Sequence, residues 1–458
     1  MKSKPTYYDL SISQKILVYS QTFCLFKQLN NVFSLILLNR ELDFDVLRKA
    51  IAVGYEHCDT MRLRLTRVKM KLKQYFLESD PPEIKVLDFS GKTHEEMDKE
   101  LYRLAAIPIG LTHRPLNRIY MVRSWDGMKG IYLGVSHLTM DSWSICVFLK
   151  YVMDVYESLI SGKDMPVPLK PYEQLLVKEL NYKNSPQYKR DYEFWQEEFK
   201  RPEPYFTHLL GPAVLEKIRK KVKKPDYRAG HTLALDTRAS HEIVMIPAEQ
   251  VTRMEAFCRQ HMLPMQTLFI MGLRTILSAR NDRQPDVSFN NAVARRATQE
   301  EKKTGGTRIN VLLIRTILPE DCKFLDALTQ IAERQSLIFR HAELGLLDVY
   351  KLMQAAYTPG DQMSSYQSIS LTFQPIPLTL SDGTVIHSKW YGNGVAAQPF
   401  YLTVMDGDGT GALRCYYEYW KKTFRPEDIR KIHEELLKVM MAGVDNENIT
   451  VGELLNLI

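Results

Sequence analysis

The stretch 129–159 does more than any other to limit what this chain can fold into. Apolar residues Ile131, Leu133 and Val135 alternate through 129–137, the period of a strand, which puts His137 on their buried face and Ser136 on the opposite one. From 142 to 159 the apolar residues recur at Ile145, Phe148, Val152, Val155 and Leu159, the spacing of a helix laid on a sheet. A histidine therefore closes a strand just before a helix opens, and the expected class is α/β (α+β).

The same alternation runs along the chain. Residues 31–38 read as a strand and 43–53 as a helix with Leu47, Ala50 and Ile51 on one side. The region 166–204 is rich in Lys, Glu, Tyr and Pro with weaker periodicity, the pattern of a partly exposed connection. A chain of 458 residues exceeds one ordinary core. Two lobes are therefore expected, 1–172 and 173–458, with the boundary near Tyr172. The second lobe supplies strands at 241–246, 286–294 and 309–317, and helices at 247–261, 266–279 and 426–442. Pro247 suits the first of those helices because its missing N–H is not needed in a first turn. Segments 401–405 and 412–419 flank Asp406-Gly407-Asp408-Gly409 and read as a hairpin. A calcium loop there fails, since its twelfth position would be Tyr417 and not Glu.

Composition excludes several classes. Hydrophobic residues at 45% and charged residues at 25% belong to a folded globular chain. The net charge of +7 sets 61 basic against 54 acidic residues, too balanced to point to nucleic acid. The basic run Arg219, Lys220, Lys221, Lys223 and Lys224 reads as a solvated loop or helix face ahead of a docking patch for an acidic protein. Residues 1–20 carry Lys2 and Lys4 but no apolar core, and no window approaches the ~18 apolar residues of a membrane span. A cytoplasmic protein with no membrane association is expected. The cysteines Cys24, Cys58, Cys146, Cys258, Cys322 and Cys415 form no CxxC, which favours reduced thiols over disulfides or zinc.

The densest chemistry lies in Ser136-His137-Leu138-Thr139-Met140-Asp141-Ser142-Trp143-Ser144. On one reading His137 is a hydrogen-bonded core histidine and Asp141 a helix N-cap. On the other, a histidine near its ordinary pKa of about 6.5 takes a proton from an attacking amine or hydroxyl. No further ligand stands at zinc spacing, so no metal is expected. Nucleophilic catalysis finds no support, because no GxSxG surrounds the motif and Cys146 sits within the apolar helix pattern.

This region resembles the HHxxxDG segment of nonribosomal peptide synthetase condensation domains and their acyltransferase relatives, and further likenesses follow in order. Leu10-Ser11-Ile12-Ser13-Gln14 resembles the opening LSxxQ, residues 56–65 a degraded RHExLRTxF, and Pro115-Leu116-Asn117-Arg118 the element PLWR. Tyr172-Glu173-Gln174-Leu175 and Phe194-Trp195 are similar to the inter-lobe motifs. Residues 289–296 are similar to the strand ending in Gly-Arg, and Arg308-Ile309-Asn310-Val311-Leu312 with Arg315 to GxFVNTxxxR. Residues 419–424 resemble the closing YxxxxF.

The resemblance implies two chloramphenicol-acetyltransferase-like lobes in a V-shaped pseudodimer, with a central tunnel where a thioester donor meets an amine or alcohol acceptor. It implies a stand-alone, monomeric acyltransferase of nonribosomal peptide or related secondary metabolism. Acyl or peptidyl carrier proteins would be its partners. Phosphopantetheine would arrive on those carriers and no cofactor would be bound intrinsically. His137 matches the catalytic histidine, Asp141 the structural aspartate and Arg296 the arginine expected to pair with it across the lobes. Trp143 and Asn310 become candidates for the substrate channel. Ser136 stands where the family has its first histidine, Ser142 where it has glycine, and Ala294-Arg295-Arg296 lacks the expected glycine. These departures keep two alternatives open: a coenzyme A-dependent acyltransferase with a free acceptor, and a catalytically silent recruitment module.

Overall fold

In the computed structural model, which describes residues 5–230, 234–361, 364–375, 377–380 and 383–458, the strand Lys129–Ser136 is the middle of a five-stranded sheet. Lys2 and Lys4 lie outside the described residues. The sheet order is His387–Tyr391, Asn31–Leu38, Lys129–Ser136, Asn117–Arg123, Ile84–Asp88. All neighbours are antiparallel except Ile84–Asp88 and Asn117–Arg123. Ile131, Leu133 and Val135 pack in one core with the helices Phe44–Glu56 and Ser142–Ser161. Tyr132 packs on the other side against the helix His94–Ala105. The central strand is thus buried on both faces, and alternation alone reported only one. It also ends at Ser136, so His137 lies in the turn beyond it.

The chain forms two compact units. One comprises Met1–Ser185, Ala294–Ile309 and Pro377–Val395; the other comprises Pro186–Val293, Asn310–Ile376 and Ala396–Ile458. Set beside the expected boundary at residue 172, the first unit runs on to Ser185 and takes in two later segments. One of these supplies an edge strand of the first sheet, with Tyr391 opposite Phe33. Asp98 fixes it, accepting from the Tyr391 hydroxyl at 2.7 Å and pairing with Lys389.

The second unit is built on a six-stranded sheet ordered Ala239–Ile246, Leu413–Trp420, Phe400–Asp406, Ser370–Gln374, Asp286–Ala294, Ile309–Ile317. The expected hairpin is present, pairing Phe400–Asp406 with Leu413–Trp420. The very apolar helix Gln266–Arg280 is buried along most of its length beside Pro426–Asp445. Region 166–204 is partly exposed, as its composition suggested, and it forms the helices Tyr172–Leu180 and Pro186–Glu198. A few large anchors, Tyr172 and Trp195, replace a continuous apolar stripe there. Among the described residues no helix is long and apolar enough to cross a membrane.

Candidate functional site

The turn between Ser136 and Asp141 is tied down by backbone and side-chain hydrogen bonds. The Ser136 N–H donates to the Leu116 carbonyl at 2.7 Å, and the His137 N–H to the Asn30 carbonyl at 2.6 Å. The Thr139 N–H and hydroxyl both donate to the Ser136 carbonyl at 2.8 Å. The Ser136 hydroxyl itself receives only a long contact from the Leu138 N–H, at 3.4 Å. Gln14 reaches the same turn, its Nε2 donating to the Leu138 carbonyl at 2.9 Å. Gln14 also closes the capping box with Ser11 and exchanges amide hydrogen bonds with Gln74. The opening motif therefore holds the histidine turn in place, a role that spacing in the sequence could not reveal.

The His137 ring is oriented by one contact. Its Nδ1 lies 3.0 Å from the Met140 carbonyl, and a carbonyl only accepts, so Nδ1 carries the proton. Nε2 is left with its lone pair. The residue is half-buried. Burial draws its pKa below the ordinary histidine value, against the opposing pull of the Asp141 charge. The ring is therefore neutral at neutral pH.

Asp141 points elsewhere. It is the N-cap of the helix Ser142–Ser161, accepting from the Ser144 N–H at 2.9 Å and the Ser144 hydroxyl at 2.6 Å. The Arg308 N–H donates to its other oxygen at 2.8 Å, and Arg296 Nη2 faces both oxygens at 3.1 Å. Burial alone would raise its pKa, but the Arg296 charge and the donors from Ser144 and Arg308 bring it below the usual carboxylate value. Arg296 in turn donates through Nη1 to the carbonyls of Glu301 and Thr304, at 2.7 and 2.9 Å, and through Nη2 to the Gly306 carbonyl at 2.8 Å. Gly306 has φ +90°, and a Cβ there would meet the Tyr172 ring at 2.1 Å, so only glycine fits.

A further tier was not singled out by sequence reasoning. Buried Glu179 accepts from Arg295 at 3.0 Å and from the Ile12 N–H at 2.7 Å, with Arg308 3.5 Å away. Arg295 also donates to the Ser13 hydroxyl at 3.1 Å. Three buried arginines are thus balanced by Asp141, Glu179 and Glu301. Glu179 carried no signal of its own, being one of many acids in a polar stretch.

The remaining candidates separate. Half-buried Ser142 opens the helix, and the Trp143 indole N–H donates to the Lys302 carbonyl at 2.9 Å. Asn310 belongs to the second unit and is fully buried. Its Nδ2 donates to the carbonyls of Ala342 and Leu344 at 2.8 Å, and its Oδ1 accepts from the N–H groups of Val311 and Leu346. Its amide is committed to backbone. Cys146 is pushed up to about 12 by burial, which keeps it a thiol. No group of three potential metal ligands occurs among the described residues.

The Condensation domain family model matches residues 4–457. The chain belongs to the condensation domain family. This condensation domain is 20% identical over 98% of its length to one of the plipastatin synthase proteins of Bacillus subtilis (strain 168), and it spans 17% of that protein. It spans 6% of bacitracin synthase 3 of Bacillus licheniformis, at 20% identity over 81% of this chain. Among solved structures it matches the first condensation domain of the calcium-dependent antibiotic synthetase in complex with substrate analogue 3a. That match has TM-score 0.79 and 18% identity, covering 98% of both chains. A mutant starter condensation domain of rhizomide synthetase RzmA in complex with C8-CoA matches with TM-score 0.81 and 17% identity, over 98% of this chain and 97% of that one. The chloramphenicol-acetyltransferase-like α/β fold expected from the motifs is the fold these structures share.

Proposed function

We propose that this condensation domain transfers an acyl group from a thioester to an amine, or by the same route to an alcohol, with His137 as its catalytic residue. The observation that carries the reading is the ring geometry: Nδ1–H is held by the Met140 carbonyl, which leaves Nε2 as an acceptor on the imidazole of a half-buried residue. In the reaction the nucleophile's nitrogen bonds to the thioester carbonyl carbon and the carbon–sulfur bond breaks. The proton released by nitrogen passes through Nε2 to the departing thiolate, so an amide and a free thiol leave. Asp141 and Arg296 act as architecture, and Ser136 and Ser142 shape the turn beside the ring.

The donor would be a phosphopantetheine thioester on a carrier protein, as suits the synthetases that this domain resembles. Coenzyme A carries the same arm, and the C8-CoA complex of a similarly folded domain supports testing both. Most of the acceleration would come from holding two reactants together, with general-base help adding about 10²–10⁴-fold.

The test offers acyl-carrier and acyl-coenzyme A donors separately, with an amine acceptor, to wild type and His137→Ala. Product formation should fall about 10²–10⁴-fold in the variant with an unchanged melting transition. Wild-type turnover by the variant would remove His137 from the chemistry.

A further inference from the structure

On the strand Leu413–Trp420, Leu413, Cys415, Tyr417 and Tyr419 turn one way and are buried, with the Tyr417 hydroxyl 2.9 Å from His433 Nδ1. Arg414, Tyr416 and Glu418 turn the other way and are half-buried. Register sets Glu418 between Tyr401 on one neighbouring strand and His241 on the other. Directly opposed side chains of a sheet lie about 5 Å apart, so the three form a row across this face. Thr403 lies opposite Tyr416, and Thr372 shares a 2.7 Å hydrogen bond with the Tyr401 hydroxyl.

Among the charged groups of this face Glu418 is the exception. No hydrogen bond or ion pair reaches its carboxyl among the described residues. The same-face cation on its own strand, Arg414, is engaged by Asp408 at 2.7 Å, and Arg430 pairs instead with Glu242, on the adjoining strand. The His241 ring stacks on Tyr416 with centroids 5.3 Å apart. Burial pushes Glu418 up to about 7, and the half-buried group has no counter-charge among the described residues. A ligand bearing an amino group would supply what the protein withholds, and the hydroxyls and aromatic faces around it suit a compact organic molecule.

We propose that Glu418, framed by His241 and Tyr401 on this face of the second unit's sheet, anchors the amino group of a small-molecule ligand. This goes beyond the acyl-transfer reading and does not depend on it. Glu418 is then a specificity residue that selects amines over molecules of equal shape lacking nitrogen.

The experiment compares binding of leucine N-butylamide with isocaproic acid N-butylamide, which differ by the amino group alone, by calorimetry near pH 7.5. Wild type should prefer the amine about tenfold or more, the range of a hydrogen bond to a charged group. Glu418→Gln, nearly identical in shape, should bring the preference within about twofold. Equal binding of the two probes by wild type overturns the inference without recourse to any variant, and so does a preference that survives in Glu418→Gln. His137→Ala keeps the amine preference while losing turnover. Loss of one reading therefore leaves the other standing.

Discussion

Asp141 is buried and Glu418 half-buried, and their surroundings drive the two carboxylates in opposite directions. Around Asp141 stand two backbone N–H groups, a hydroxyl and a guanidinium, and its pKa falls. Around Glu418 no donor is in place among the described residues, and its pKa rises to about 7. The first arrangement satisfies a buried charge permanently, which is how a protein uses an ion to hold geometry. The second leaves a charge uncompensated, a cost that folding tolerates where a ligand completes the site.

The sharpest way to break this comparison is to remove each carboxylate. Asp141→Ala strands Arg296 beside carbonyls and empties a helix cap, and should cost roughly 3–5 kcal/mol in denaturant unfolding. Glu418→Ala strands nothing and should cost far less. A loss below about 1 kcal/mol for Asp141→Ala would deprive the Arg296 pair of its architectural role.

Glu418→Gln should go further and stabilise. In the unfolded chain this glutamate loses its proton near pH 4.3, whereas in the folded protein it keeps it to about 7. Between those values the unfolded state binds fewer protons, so stability falls as pH rises, and the penalty is complete above about pH 7. The neutral variant escapes it. Its unfolding free energy at about pH 8 should exceed wild type by up to about 3 kcal/mol, with little difference at about pH 4. Parallel pH profiles for the two proteins would mean that the carboxyl is already satisfied.

The contrast also marks what could be read before the fold was seen. The strand Asn31–Leu38 and the helix Ser142–Ser161 were legible because their patterns are local, and the pairing of Arg296 with Asp141 because ordered motifs implied it, although the pair lies within the first unit and not across two lobes. The edge strand His387–Tyr391 was not, since HSKWY lacks clean apolar alternation and owes its place to pairing with Asn31–Leu38 and to Asp98. Gln14 was quoted as a motif residue, yet its hold on Leu138 joins positions 124 residues apart. Glu418 left one trace, an acid within Tyr416-Tyr417-Glu418-Tyr419. What made it informative is an unfilled environment, and only the assembled sheet defines that.

The smallest effect concerns Trp143, which stands at the edge of the partnered cluster. Its indole N–H is spent on the Lys302 carbonyl, in the short helix Gln299–Lys302 that leads to the Thr304 carbonyl gripping Arg296. Trp143→Phe keeps the aromatic body and deletes that single donor. It should lower stability by about 1 kcal/mol, the net worth of one hydrogen bond, and leave acyl transfer within about threefold of wild type. The opposite pattern, with stability intact and turnover lost, would assign the ring to ligand contact. Trp143 would then stand with Glu418 as a group kept open for a ligand, and the tether to Lys302 would be incidental to its purpose.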